Sequence, residues 1–556
     1  MRFLARLIPI LMLLTGCAAD PAPAQYNTDP YDSGGPLMPE QAAYDVTFYD
    51  LDLHVAPADS TIHGTLTATA RITSPIAEFV LDLDTLFTVD GVTDELAGGS
   101  LPFERRGGKL WIHLPYTRQP GETVSVKVAY GGRPRIAPNP PWSGGFTWAK
   151  TASGAPWIAT TCQQEGADVW WPVKDHVSDE PDSMALHITV PDPLVVASNG
   201  RLKGTRPHDD GTTTYDWFVS TPINAYDVAL NIAPYRVIEE TFQSVDGTTF
   251  PAVFYVLPED YEKGVARFPE FLRQLHFFEE ILGPYPFRAD KYGAAQTPHL
   301  GMEHQTIIAY GAHFDNGAMT GGHDWGFDAL HQHELSHEWW GNLVTNLDWK
   351  DMWLHEGFGS YMQPLYLEHI QNPAAYHAYL DSIRPRISNR FPVASRESRS
   401  AKQIYGGDIY FKGAWILHTL RHLIGDEAFF KALRRMAYPT PEMETFADGR
   451  ACRFATTDDF VHLVDDITSQ NLDWFFEVYV RQAALPELVT KRDGDKLSLR
   501  WKTKNDLPFP MPVDLQLDSE ITRVEMSGGH ATISVPADAE VIVDPQHWVL
   551  RAEDLP

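Results

Sequence analysis

Apolar and polar positions recur along this chain with two different periods, and the change of period divides it. From residue 41 to 237 they alternate, as in Leu51-Asp52-Leu53-His54-Val55, Leu66-Thr67-Ala68-Thr69-Ala70 and Val124-Ser125-Val126-Lys127-Val128. Alternation sends successive side chains to opposite faces of a strand, so this stretch predicts short strands with one solvated face. Turns rich in Gly, Pro and Asp separate them, and Pro234 stops the last, Val228-Ala229-Leu230-Asn231-Ile232. From Pro258 the period becomes helical: residues 259–282 read as one helix ended by Gly283-Pro284, and helices dominate to about residue 482. After Leu485 the alternation returns in Leu497-Ser498-Leu499-Arg500-Trp501, Val513-Asp514-Leu515-Gln516-Leu517 and Val541-Ile542-Val543. The expected fold class is multidomain α+β: an all-β domain over 41–237, a mainly helical domain over 238–483 and a small β-sandwich over 484–556. No internal repeat is present.

The first residues carry a different signal. Arg2 and Arg6 precede the apolar run Leu7 to Leu14, followed by Thr15-Gly16-Cys17. A basic start, a short apolar run and small residues make a secretory signal, too short for a permanent membrane helix. Leu14-Thr15-Gly16-Cys17 resembles the bacterial lipobox, whose cysteine is acylated and becomes the new N-terminus; the competing reading is an ordinary secretory signal with an incidental cysteine. The expectation is a signal peptide over 1–16, a membrane anchor through lipidated Cys17 and a flexible tether over 17–40, rich in loop formers. Ala18 rather than Asp follows Cys17, which favours the outer membrane, facing the periplasm or the surface.

Composition removes some functions. The chain holds 44 Lys and Arg against 74 Asp and Glu, a formal charge of −30, with no basic block or aromatic–basic stripe. Nucleic acid and anionic headgroups are therefore not expected partners. Beyond Cys17 only Cys162 and Cys452 remain. Their sequence separation gives no geometric support for a disulfide, so two free thiols are expected.

The chemistry concentrates at His333-Glu334-Leu335-Ser336-His337. Two histidines four apart project from one helix face and can fill two corners of a tetrahedral zinc. Glu334, next to the first, can act as general base on a zinc-bound water. Hydrolysis needs a third protein ligand and an open position, and Glu356 in Trp353-Leu354-His355-Glu356-Gly357-Phe358 can supply the ligand. Gly341-Asn342 lets the chain turn back between them. With 22 His in the chain, the first motif alone leaves a coincidental match open.

His-Glu-x-x-His followed by that Glu, with Gly301-Met302-Glu303-His304 upstream and Trp339-Trp340-Gly341-Asn342-Leu343-Val344-Thr345 between, resembles the zinc aminopeptidases of the aminopeptidase N and leukotriene hydrolase type, the gluzincins. The resemblance covers the β domain, a thermolysin-like catalytic domain and the small C-terminal β module. It implies one zinc per chain on His333, His337 and Glu356, peptide substrates with a free N-terminus, and Glu334 as the base. It assigns Glu303 to the substrate ammonium, Gly301 and Met302 to the peptide backbone, Gln163 to the N-terminus from the β domain, and Tyr410 to the oxyanion. On spacing alone Glu303 reads equally as a solvated loop acid, Gln163 as a turn residue with Gln164 its rival, and Tyr410 as core packing. Tyr405 matches a second family tyrosine, and His323, His331 and His355 read as structural or supporting. Two residues depart from the family's Gly-x-Met-Glu-Asn signature: Leu300 replaces its first Gly and His304 its Asn. Other readings are an endopeptidase or epoxide opener on the same zinc, and a surface lipoprotein that binds peptides or envelope components without turnover.

Overall fold

The computed structural model describes residues 26–536 and 539–555; the expected signal peptide and Cys17 lie outside them. The N-terminal region is built on a seven-stranded sheet. Its spatial order is Arg201–Pro207, Thr212–Val219, Ser183–Pro191, Tyr44–Ala56, Thr61–Ile72, Thr123–Gly132, Phe87–Asp94. Only the pair Tyr44–Ala56 and Ser183–Pro191 runs parallel. The alternation decides which face packs: Leu51, Leu53 and Val55 are fully buried while Asp52 is exposed. A second sheet of four strands includes Pro156–Thr161, which leads directly to Gln163.

The turn at Pro234 ends this region. The next strand, β1 (Arg236–Gln243), already belongs to a five-stranded sheet with β2 (Thr249–Val256), β3 (Tyr292–Gln296), β4 (Gly301–Met302) and β5 (Ile308–Tyr310), in the order β1-β2-β3-β5-β4. The two-residue β4 is therefore an edge strand. Across this sheet lies α1 (Tyr261–Leu282), ended at Gly283 with φ 106°. Phe268, Phe271, Leu275, Phe278 and Leu282, spaced three and four apart, are all buried. Each contributes about 1.5–3 kcal/mol of burial. Phe271 packs on Phe254 of β2 and Phe278 on Trp339, ring centroids 5.3 and 5.5 Å apart, so the helix joins the sheet to the segment holding the His motif.

Four more helices matter here: α2 (Ala329–Ser336), α3 (Trp353–Ile370), α4 (Pro373–Ile383) and α5 (Gly407–Ile424). The chain then forms two three-stranded antiparallel sheets, one from Glu487–Asp493, Lys496–Lys502 and His530–Ser534 and the other from Glu520–Val524, Val513–Leu517 and Val541–Val543. No helix of the described residues is long and apolar enough to cross a membrane.

Residues 26–40, which the sequence reads as the end of a tether, lie against the body. Ser33 N donates to Gln164 O, Ala401 N donates to Ser33 O (both 2.9 Å), and Met38, 2% exposed, packs with Val80 and Trp111. Loop-forming composition misled because this segment binds through backbone hydrogen bonds and scattered side chains, Tyr31, Met38 and the Asp29 ion pair with Lys402, rather than through a periodic face. Cys162 is buried and Cys452 half-buried, both as free thiols.

Candidate metal centre

Asp328 caps α2, its carboxylate accepting from His331 N at 3.1 Å and from the Tyr310 hydroxyl at 2.5 Å. One turn of this helix separates His333 from His337. The latter is its C-cap and still αR, φ −68° and ψ −16°, so the pair keeps helical spacing. Their Nε2 atoms stand 3.2 Å apart. Glu356, in the first turn of α3, brings Oε2 to 3.4 Å from His333 Nε2 and 3.6 Å from His337 Nε2. Ligands about 2.0–2.2 Å from a tetrahedral zinc stand about 3.3–3.6 Å from one another, so the triangle fits that ion.

The polar accounting agrees. His337 Nδ1 donates to Trp340 O at 2.8 Å, which leaves the Nε2 lone pair facing Glu356. Burial holds His333 neutral, its pKa lowered to about 4, the form that ligates. Glu356 Oε2 has no hydrogen-bond partner among the described residues. A buried carboxylate oxygen facing two imidazole nitrogens in this way is satisfied by a cation.

Two further carboxyls face the same point. Single ligand atoms of Glu303, Glu334 and His337 all lie within 4.8 Å of one another. Burial, then the charges of Glu303 and Glu356, pushes Glu334 well above the ordinary carboxyl range. Burial likewise raises Glu303 to about 7, with His337 opposing and Glu356 adding. Three buried acids repel one another unless positive charge joins them.

Close backbone contacts place these groups. A Cβ on Gly301 would sit 2.7 Å from Glu334 Oε1 and 2.6 Å from Leu330 Cδ1. The glycine therefore makes room for the Glu334 carboxylate. A Cβ on Gly359 would meet Ser336 Oγ at 2.8 Å, and one on Gly413 would meet Gly357 Cα at 2.8 Å. Helices α3 and α5 thus touch backbone to backbone beside Glu356 and one turn from Tyr410.

Gln163 reaches in from the N-terminal region: its Nε2 donates to Glu303 Oε1 and its Oε1 accepts from the Tyr405 hydroxyl at 2.7 Å. Gln164 does not line the cavity; its backbone carbonyl takes Ser33 N. Tyr410 donates to Glu356 Oε1 at 2.7 Å, and Tyr405 lies 3.1 Å from that oxygen and 2.7 Å from the Tyr410 hydroxyl. The two phenols, Tyr410 and the second tyrosine that the resemblance matches, bond each other and share Glu356 Oε1. Met302 and Leu300 line the cavity; His304 does not. His304 is buried, both ring nitrogens lack hydrogen bonds among the described residues, and burial lowers its pKa to about 3. Of the two departures from the signature, only Leu300 faces the cleft.

His331 is structural, bonded to Gln274 and Tyr292 at 2.5 Å each, and His355 Nε2 accepts from Asn346 N at 2.8 Å. His323 lines the cavity. Sequence reasoning missed the props behind Glu303. Asn342 Nδ2 donates to Glu303 O at 3.1 Å and to Glu338 Oε2 at 3.2 Å, while Glu338 Oε1 accepts from Thr306 N at 2.9 Å. The one available signal was Glu338 beside a ligand. The whole site opens into a cavity of about 840 Å³, ample for a short peptide.

Comparison with known proteins converges on one family. Residues 46–226 match the Peptidase M1 N-terminal domain and residues 273–479 the Peptidase family M1 domain. Among curated relatives, yeast (Saccharomyces cerevisiae) "Aminopeptidase 2, mitochondrial" is 24% identical over 343 residues, 58% of this chain and 34% of that protein. Pig (Sus scrofa) "Glutamyl aminopeptidase" is 25% identical over 379 residues, 58% of this chain and 39% of that protein. The chain thus spans between about a third and a half of the length of the curated relatives it matches. A crystal structure of an M1 zinc metallopeptidase from Deinococcus radiodurans superposes with a TM-score of 0.64 at 25% identity, covering 80% of this chain and 94% of that one. A variant of it bound to a Tyr-Ser-Ala substrate gives 0.65 at 24% identity, covering 80% and 95%.

Proposed function

From the premise that the chain belongs to peptidase family M1, we propose that it is a zinc-dependent aminopeptidase, cleaving the first peptide bond of peptides with a free N-terminus. The observation that carries the reading is the joint placement of a buried carboxylate, Glu303, and the His333, His337 and Glu356 triangle in one cavity. Zinc held by that triangle would supply Lewis acidity, polarising a carbonyl and bringing the pKa of water to about 7.

The chain's own residues do the rest. Glu303, steadied by Gln163 and Asn342, grips the ammonium and so fixes which bond lies over the triangle. Backbone groups of edge strand β4 at Gly301 and Met302 pair with the peptide as an added strand. Glu334 takes the proton of the attacking water and passes it to the leaving amine. Tyr410, backed by Tyr405, turns its hydroxyl from Glu356 to the oxyanion as charge develops there. The test uses aminoacyl fluorogenic substrates with the amine free or acetylated. Free-amine substrates are expected to be cleaved, with loss on chelation and on acetylation, and Glu334→Gln to lower turnover by about 10²–10⁴ with zinc retained. Undiminished cleavage of the acetylated set would remove Glu303 as an amine clamp.

Anchoring at the outer membrane through Cys17, supported by the pattern of residues 1–17, belongs to the same proposal. Labelled palmitate incorporation that survives Cys17→Ser would overturn it.

A further inference from the structure

One wall of the cleft carries a charge of the opposite sign. Among the residues lining the cavity, Arg386 is the only lysine or arginine, against Glu303, Glu334 and Glu356. It is exposed and follows helix α4, whose Tyr379, Ser382 and Ile383 also line the cavity. Its guanidinium lies 4.8 Å from the ring centroid of Phe411. Among the described residues it makes no ion pair or hydrogen bond. Nearby Arg384, by contrast, pairs with Asp381 at 3.4 Å. In a chain of net charge −30, a cation left unpaired on the wall of a cleft calls for a partner from outside.

Its position relative to the amine end is set by a row of rings. Gln163 bridges Glu303 to Tyr405; from there the centroids step 6.1 Å to Tyr410, 6.2 Å to Phe411, and 4.8 Å to the Arg386 guanidinium. A peptide held by its ammonium at Glu303, with its first carbonyl near Tyr410, continues toward Arg386. The two steps beyond Tyr410 correspond to at most about three extended residues at 3.3–3.6 Å each.

Resting on the aminopeptidase reading, we propose that Arg386 receives a substrate carboxylate carried two or three residues beyond the cleaved bond, so that the site favours tri- and tetrapeptides with a free C-terminus. An acidic side chain at that distance offers the same group. Guanidinium suits the role because its fork donates two parallel hydrogen bonds to a carboxylate, and Phe411 holds the plane in place by stacking.

The test is a ladder of di- to hexapeptides, each as free acid and as C-terminal amide, with a further amide series carrying Asp at the third or fourth residue. Cleavage is followed for the zinc-loaded enzyme and for Arg386→Gln and Arg386→Lys; binding is followed by calorimetry with Glu334→Gln protein. The expected result is a preference for acid over amide of about three- to tenfold, expressed in KM and in Kd and largest at three or four residues. Arg386→Gln abolishes it and Arg386→Lys retains part. Rescue of the amide series by an internal Asp assigns the same pocket to acidic side chains as well. An acid-to-amide ratio near one at every length, or one unchanged in Arg386→Gln, overturns the proposal while leaving the aminopeptidase reading intact. Peptides that bind with the acid preference yet are never cleaved by the zinc-loaded enzyme overturn the aminopeptidase reading instead.

Discussion

Two pairs of histidines in this protein share the same spacing and do different work. His333 and His337 on α2 bring both Nε2 atoms to within 3.6 Å of Glu356 Oε2. His418 and His422 on α5, also four apart, lay their rings flat on Trp548, with centroids 4.5 and 5.2 Å away and planes within 17°. His377 closes that cage edge-on at 4.7 Å. Both nitrogens of His418 are engaged, Nδ1 with the Tyr376 hydroxyl at 2.6 Å and Nε2 with His547 O at 3.0 Å. Helical spacing therefore brings two imidazoles together, but what stands opposite decides their use. A carboxylate with an unfilled lone pair makes a metal centre. An indole makes a seam joining the helical region to the C-terminal sheets.

The contrast can be broken most sharply with one substitution on each side. His337→Gln is expected to lose the zinc and with it essentially all hydrolysis, whereas His422→Gln keeps one zinc per chain, measured by elemental analysis. Zinc lost from the second variant would make the cage a ligand site after all. Tyr410→Phe is next: removing one oxyanion donor is expected to lower kcat by about 10²-fold, with KM little changed and Tyr405 left to compensate in part. An unchanged kcat would return Tyr410 to a packing role.

The smallest effect is a pH dependence on the cage side. Burial lowers His418 well below the usual histidine range and His422 to about 4, where Asp514 opposes and Arg523 adds; it also lowers His377, against Asp381 and Glu368. Unfolded, these groups take up protons near pH 6.5; folded, all three resist to lower pH, His422 until about pH 4. Stability from this seam is thus fully present above about pH 6.5 and is lost as pH falls toward 4, by at most about 1.4 kcal/mol per pH unit for each group. Melting temperatures of the parent chain and His422→Gln between pH 7.5 and 4.5 check it: the variant should fall less steeply, and parallel curves would sink the idea.

Legibility in the sequence follows the same division. The metal triangle could be read because its parts are local: two residues one turn apart and a third in a recognisable stretch. Strand alternation and the helix at 259–282 were equally plain, since a buried face imprints its period on the chain. The cage could not be read, because His418-x-x-x-His422 has the spacing of the true site and Trp548 arrives from more than a hundred residues away. Gln163 entered only through resemblance, as its contact with Glu303 spans two regions. Asn342, which holds the Glu303 backbone, and Glu338, which bonds Asn342 and Thr306 N, left one faint sign, an acid next to a ligand.

The approach of Gly357 to Gly413 has a consequence that no reactive group reveals. With 2.8 Å between a would-be Cβ and the opposing Cα, the separation of the two helices is set by hydrogen atoms alone, and Glu356 and Tyr410 ride on either side of that joint. One methyl at position 413 would act as a wedge, prying the third ligand from its phenol. Such a chain would keep its full roster of acids, imidazoles and hydroxyls and still fall silent.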